Sequence, residues 1–301
     1  MATLDIPERM RRLEIPGRIT LQEGNGELPK INVNTAWSAA EIYLHGAQVT
    51  DFRREGDAPL LFLSQCSRFE RTQPIRGGIP IVFPWFGARE GEPSHGFARL
   101  TDWQLQETAA LPEGGATLRF SLPETGENAL WPSFTAFYVV TVTESLTLEM
   151  IVTNTAPAQT LTIENCLHTY FAVGDISAVS VTGLKGLSYL DHLENLAQKT
   201  DTAEAVTFAG EVDRIYLDHT GAVDILDPRL KRRIRIEKSG SASTVVWNPW
   251  IAKSQRMPDF GNEEYKQMLC VESGNVGRNH VTLAPGRSAA LRVKLSSAPL
   301  P

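Results

Sequence analysis

Four groups of residues in this 301-residue chain carry the side chains that acid–base or anion chemistry needs. The first centres on His168, in the run LTIENCLHTYF from Leu161 to Phe171. Leu161, Ile163, Leu167, Thr169 and Phe171 share one parity, and Thr162, Glu164, Cys166, His168 and Tyr170 share the other. An extended backbone therefore turns His168 to the more polar face, beside Tyr170. The second is Glu272, in MLCVESGN, where apolar residues run straight up to the carboxylate. A carboxylate in a buried strand must be paired, hydrogen-bonded or protonated, because burying a bare charge is costly. An imidazole and a carboxylate facing one site make an acid–base pair tunable toward neutral pH. Glu164 is a poor partner for His168, since four residues of strand separate them by roughly 13 Å. Residue types alone leave the ordinary readings open: a structural histidine and a carboxylate that caps a turn.

The third group is arginine in glycine-rich surroundings. Arg76 opens RGGIPIVFPWFG, and Arg99 closes HGFAR together with His95. The glycines permit close backbone approach and the prolines exclude a central helix. Two arginines from separate segments can converge on a phosphate with forked, charge-assisted hydrogen bonds. Two unrelated surface arginines are the alternative. Neither segment is a Walker loop or a dinucleotide fingerprint. The fourth group is Trp247 in VVWNPW and Asp213 in EVDRIYL. An indole face suits the C–H face of a pyranose, and Asp213 could accept hydrogen bonds from sugar hydroxyls. Core packing and a local ion pair would explain the same two residues.

The elements that must position these groups read as strands. Apolar and polar residues alternate in 117–122, 146–150, 233–236 and 291–295, and 134–142 is rich in aromatic and β-branched residues, as a central strand would be. Turn signals separate the runs at 113–115, 154–157, 227–228, 239–240 and 285–286. Many short strands without regular intervening helices predict an all-β chain, an antiparallel β-sandwich, and argue against a doubly wound α/β sheet. One short helix is expected near 263–268, and 36–42 is ambiguous. The organisation expected is a lead-in over residues 1–30 followed by a single domain over 31–301.

Composition limits the partners. Hydrophobic residues make up 42% of the chain, enough for a substantial core, and the formal net charge of −6 gives no general attraction to nucleic acid or anionic lipid. Any anion must be held by a local arginine cluster. Cys66, Cys166 and Cys270 are odd in number and widely spaced, which predicts buried free thiols rather than disulfides or a zinc motif. The N-terminus has no secretory h-region and no stretch is long enough to span a bilayer, so a cytoplasmic protein without membrane contact is expected. A monomer is the default.

Taken in order, RGGIPIVFPWFG, HGFAR, LHTYFAVGDI, EVDRIYL, VVWNPW and CVESGNV resemble the hexose-6-phosphate mutarotases, or glucose-6-phosphate 1-epimerases, of the galactose-mutarotase-like superfamily. The resemblance runs from about Ala36 to the C-terminal strand. It implies a large antiparallel β-sandwich (a supersandwich) that interconverts the anomers of an aldohexose 6-phosphate without cofactor or metal. It also implies His168 and Glu272 as the catalytic acid and base, close but not in direct contact, with His168 protonated and Glu272 ionised. Arg76 and Arg99 would bind the phosphate, and Asp213 the sugar. His95 and Trp247 would be further substrate-binding residues. A mutarotase for neutral aldoses and a non-catalytic sugar-phosphate binder are the rivals. A glycoside hydrolase would want two carboxylates instead.

Overall fold

Alternation in the sequence becomes alternation in burial. In Leu146–Asn154 every second residue is buried, and Phe134–Val142 and Ala116–Ser121 behave the same way. The computed structural model describes residues 8–124 and 131–300. Among them, two large antiparallel sheets dominate. One has nine strands, in the order Ala205–Thr207, Ser180–Thr182, Val223–Asp227, Arg232–Ser239, Ser288–Pro299, Leu146–Asn154, Phe134–Val142, Ala116–Ser121 and Gln104–Ala110. The other runs Ala197–Thr200, Ser188–Asp191, Val212–Leu217, Ser243–Asn248 and Met268–Asn275. It then continues through Asn165–Leu167 and Tyr170–Ala172, which both pair with Met268–Asn275, to the edge strand Ile81–Val82.

One continuous buried cluster joins side chains of the first sheet, such as Phe120, Tyr138, Met150 and Val293, to Phe171, Val246, Leu269 and Val271 of the second. Neighbouring residues on the second sheet's strands point the other way. Val82, Cys166, Ile215, Leu217, Val245 and Val276 form a separate apolar cluster on its opposite face. That second face carries the candidate site.

Ile19–Glu23, Pro29–Asn34, Ser38–Tyr43 and Gln48–Arg54 make a further four-stranded sheet. The ambiguous segment 36–42 is therefore mostly strand, with Ser38, Ala40 and Ile42 buried. The segment read as a lead-in supplies the edge strand Ile19–Glu23. Near 263–268 the chain forms only a 3₁₀ turn, Glu264–Gln267, and a short α-helix, Trp250–Ser254, precedes it. The run 161–171 is not one uninterrupted strand. Leu161–Ile163 pairs with Val281–Leu283, and the next stretch crosses into the larger sheet. All three cysteines are free, but Cys66 is exposed, against the expectation that each thiol is buried. Among the described residues no helix is long and apolar enough to cross a membrane.

Candidate active site

Register builds the site in rows. Residues directly opposed in an antiparallel pair share a face. Asp213 opposes Trp247, Trp247 opposes Cys270, and Cys270 opposes Tyr170, so one row crosses four strands. Two residues further along lies the next row, in which Val245 opposes Glu272. Leu167 opposes Ser273 and Tyr170 opposes Cys270, and both pairings leave His168 opposite Glu272. The ladder lapses on the other side of His168, whose N–H donates to the carbonyl of Pro80. Pro80 has no N–H to return.

The opposed pair is in contact. His168 Nε2 lies 3.2 Å from Glu272 Oε1, and Cys166 donates from Sγ to Glu272 Oε2 at 3.5 Å. This corrects the expectation of two groups held apart: the register of adjacent strands sets them at hydrogen-bond distance. Glu272 is 1% exposed and His168 8%. Burial, reinforced by Asp213, pushes the Glu272 carboxyl well above the usual carboxylate range. Burial, reinforced by His95, Arg99 and Arg76, holds the His168 imidazole well below the usual histidine range. Both directions favour a net neutral pair that shares one proton, rather than an imidazolium beside a carboxylate held apart. Glu164 is engaged elsewhere, with Oε2 accepting from the N–H of Phe86.

Aromatic rings wall the pair. Tyr170 stacks on His168, Trp247 meets both edge-on, and His95 meets His168 edge-on at 5.7 Å between centroids. His95 has a left-handed backbone (φ +64°), and its Nδ1 accepts from the N–H of Gly87. The proton must then sit on Nε2, leaving that nitrogen as a donor. Burial, then the charges of Arg99 and Arg76, lower the His95 pKa to about 3, so the ring is neutral.

The two arginines are not equivalent. Arg76 forks onto Asp259 Oδ2 through Nε (3.1 Å) and Nη2 (3.0 Å), and donates from Nη1 to the Tyr170 hydroxyl. Burial lowers its pKa, but Tyr170 and Asp259 outweigh that and hold it raised. Arg99 is buried with one partner: Nη2 donates to the carbonyl of Ser94, and Nε has none. Burial first, then Arg76, pull its pKa down to about 10. Arg99 is thus a buried cation without a carboxylate in contact, and its charge is felt at Glu272 and His168.

The approaches to the two glycines match their role. A Cβ on Gly78 would lie 2.2 Å from the carbonyl oxygen of Val49, and one on Gly77 2.5 Å from that of Phe62. Only glycine lets the segment carrying Arg76 lie this close to its neighbours. Asp213 stands at the rim, 3.5 Å from Lys253 Nζ, with Lys253 also over the Trp247 ring. Residue patterns gave no sign of Asp259 or Lys253. Asp259 acts from a loop about 180 residues away in sequence, and Lys253 owes its place to one turn of helix after Trp250.

The antiparallel two-sheet architecture places the chain among the galactose mutarotase-like β-sandwiches. It superposes on the crystal structure of a "putative mutarotase" from Salmonella typhimurium with a TM-score of 0.87, at 28% identity, over 97% of this chain and 99% of that one. A galactose mutarotase-like protein from Clostridium acetobutylicum shares the fold at a TM-score of 0.73 and 17% identity, over 94% and 98% of the two chains. Residues 30–296 match the aldose 1-epimerase family, and the chain belongs to it. Relatives include a protein of Cenchrus ciliaris named "putative glucose-6-phosphate 1-epimerase", 38% identical over 86% of this chain and 82% of its own. A protein of the same name from Escherichia coli K12 is 35% identical over 82% and 83%.

Proposed function

We propose that the chain interconverts the α and β anomers of hexose 6-phosphates, with His168 and Glu272 exchanging protons with the sugar and Arg99 holding the phosphate. The observation that carries this reading is the 3.2 Å contact between His168 Nε2 and Glu272 Oε1 with a buried, incompletely partnered arginine beside it. A neutral sugar would leave Arg99 without an anion. A 6-phosphate supplies one, and the names of the relatives point to the same substrate class.

The chemistry needs one proton on the pair. The anomeric hydroxyl donates to Glu272, which favours its carboxylate form and drives the shared proton onto His168. Glu272 then takes the hydroxyl proton, the C1–O5 bond breaks, and O5 receives the proton from His168. The product is the open-chain aldehyde. Rotation about C1–C2 presents the other carbonyl face, and the two residues reverse roles to close the ring. Each transfer contributes about 10²–10⁴-fold. His95 Nε2–H and Asp213 would hydrogen-bond sugar oxygens, and Trp247 would face the pyranose. Arg76, already neutralised by Asp259, would orient the phosphate more than bind it. The same reading keeps the enzyme a cytoplasmic monomer, which light scattering and fractionation test.

Exchange NMR of anomeric protons, comparing glucose 6-phosphate with glucose, tests the reading. Wild-type protein should accelerate exchange for the phosphorylated sugar, and Glu272→Gln should lower kcat by about 10²-fold or more while glucose 6-phosphate still binds. Equal acceleration of both sugars would favour the neutral-aldose alternative. Wild-type rates in Glu272→Gln would remove Glu272 from the mechanism.

A further inference from the structure

The face that carries His168 and Glu272 also carries two thiols that the anomerisation does not use. Cys270 lies two residues before Glu272 on one strand, and Cys166 two residues before His168 on its neighbour. Cys166 engages Glu272 Oε2, leaving Oε1 on the His168 side. Cys270 is fully buried, and its Sγ, a ring nitrogen of His168 and a carboxylate oxygen of Glu272 all lie within 4.8 Å of one another. Bonds of about 2.3 Å to sulfur and about 2.0 Å to nitrogen at a tetrahedral centre place two ligands about 3.5 Å apart. Rotations that move these atoms by about 1 Å would close the set to zinc dimensions. Thiolate with imidazole is a soft donor set, suited to zinc or cadmium rather than magnesium or calcium. His168 Nδ1 is buried without a hydrogen-bond partner.

We propose that His168, Cys270 and Glu272 form a binding site for a thiophilic divalent cation, zinc or cadmium, that shuts the enzyme off by occupying its acid–base pair. Binding rests on the geometry alone, whereas the shut-off rests on the reading of His168 and Glu272 given above. The charges balance. The cation displaces the Cys270 thiol proton and the single proton shared by His168 and Glu272. What remains is M²⁺ with one thiolate, one carboxylate and a neutral imidazole. The complex has no net charge, so the neighbouring Arg76 and Arg99 do not oppose it.

Cadmium alone is the probe, added to the Cys66→Ser chain so that the exposed thiol is out of play. A thiolate-to-cadmium charge-transfer band should grow in the ultraviolet and saturate at one equivalent, with two protons released per metal. Cys270→Ser should abolish the band, and the cadmium needed for half-inhibition should rise by about tenfold or more, the scale on which metal sites respond to lost supporting groups. Should Cys270→Ser fail to fold, Glu272→Gln must weaken cadmium binding by the same factor. An unchanged band in Cys270→Ser, its loss in Cys166→Ser instead, or unchanged affinity in Glu272→Gln overturns the proposal. Glucose 6-phosphate should compete with cadmium. A Cys270-dependent band indifferent to glucose 6-phosphate supports the metal site and sinks the acid–base reading.

Discussion

Tyr170 lies flat against His168, with ring centroids 4.8 Å apart and planes 10° from parallel, while its hydroxyl accepts a hydrogen bond from Arg76. One side chain therefore touches both His168 and Arg76. The two residues share a strand face two positions apart, so the link follows from local pleat rather than from a long-range coincidence. Asp259 completes it by forking onto the same Arg76. His168 and the arginines are thus braced against each other through one phenol ring, and the charges of Arg99 and Arg76 reach His168 as well.

The pH dependence of turnover follows from the two directions at the pair. Adding a second proton requires charging His168, which burial and the nearby cations hold below the usual histidine value of about 6.5. Removing the shared proton is resisted at Glu272, held above the usual carboxylate value of about 4.3. The kcat profile for glucose 6-phosphate should carry an acid limb below about pH 6.5 that belongs to the pair as a unit. Using kcat avoids the substrate's own second phosphate ionisation near pH 6. An acid limb at or above pH 7 would contradict the buried neutral pair.

The arginines should separate in kinetics. Arg99→Ala removes a buried cation with no carboxylate in contact. It should raise KM for glucose 6-phosphate by about 10–100-fold, the range of a lost charge-assisted hydrogen bond worth about 1.5–3 kcal/mol. Arg76→Ala strands Asp259, and so should lower thermal stability as well as affinity. Steady-state kinetics beside thermal melts would show the difference. A larger stability loss in Arg99→Ala than in Arg76→Ala would reverse the assignment.

Much of this site was legible because it depends on period 2. The parity that put His168, Cys166 and Tyr170 on one face survives in the structure, and the glycines of the Arg76 segment do sit against backbone. What was not legible is non-local. Contact between His168 and Glu272 depends on the register of strands 104 residues apart, and no local pattern sets that number. Arg76 looked like a free phosphate ligand because Asp259 lies in an unpatterned loop. Segment 36–42 looked ambiguous because its alanines favour a helix, and burial of Ala40 and Ile42 in a sheet decided otherwise.

Acid stability should carry the signature of a buried histidine outside the site. His219 Nδ1 lies 2.9 Å from Thr244 Oγ1, which also accepts from Lys238 Nζ at 2.6 Å. The hydroxyl can then donate only to an unprotonated Nδ1. Burial first, then Lys238, lower the His219 pKa to about 4, against about 6.5 when unfolded. A depressed pKa contributes stability that is complete above about pH 6.5 and is lost as pH falls toward about 4. Urea unfolding of wild type should thus lose about 1.4 kcal/mol per pH unit on account of this residue within that window. His219→Asn, which keeps an acceptor, should lower the pH slope by about one proton. An unchanged slope would mean His219 is protonated in the native state.

Tyr170 offers the sharpest separation of the two halves of the site. Tyr170→Phe keeps the ring against His168 and removes the hydroxyl that Arg76 reaches. Arg76 Nη1 loses that partner while the fork to Asp259 remains. KM for glucose 6-phosphate should rise several-fold to about tenfold, in line with a lost hydrogen bond to a charged group of about 1.5 kcal/mol. The acid–base pair keeps its stacked wall, so kcat should change by less than about twofold. Tyr170→Leu removes the stacked ring as well, loosening His168, and kcat should then fall by about tenfold or more, since small misplacement of a catalytic group is costly. The split is read in steady-state kinetics with both variants. Equal losses of kcat in Tyr170→Phe and Tyr170→Leu would mean that the hydroxyl, and not the stacked ring, serves the acid–base pair.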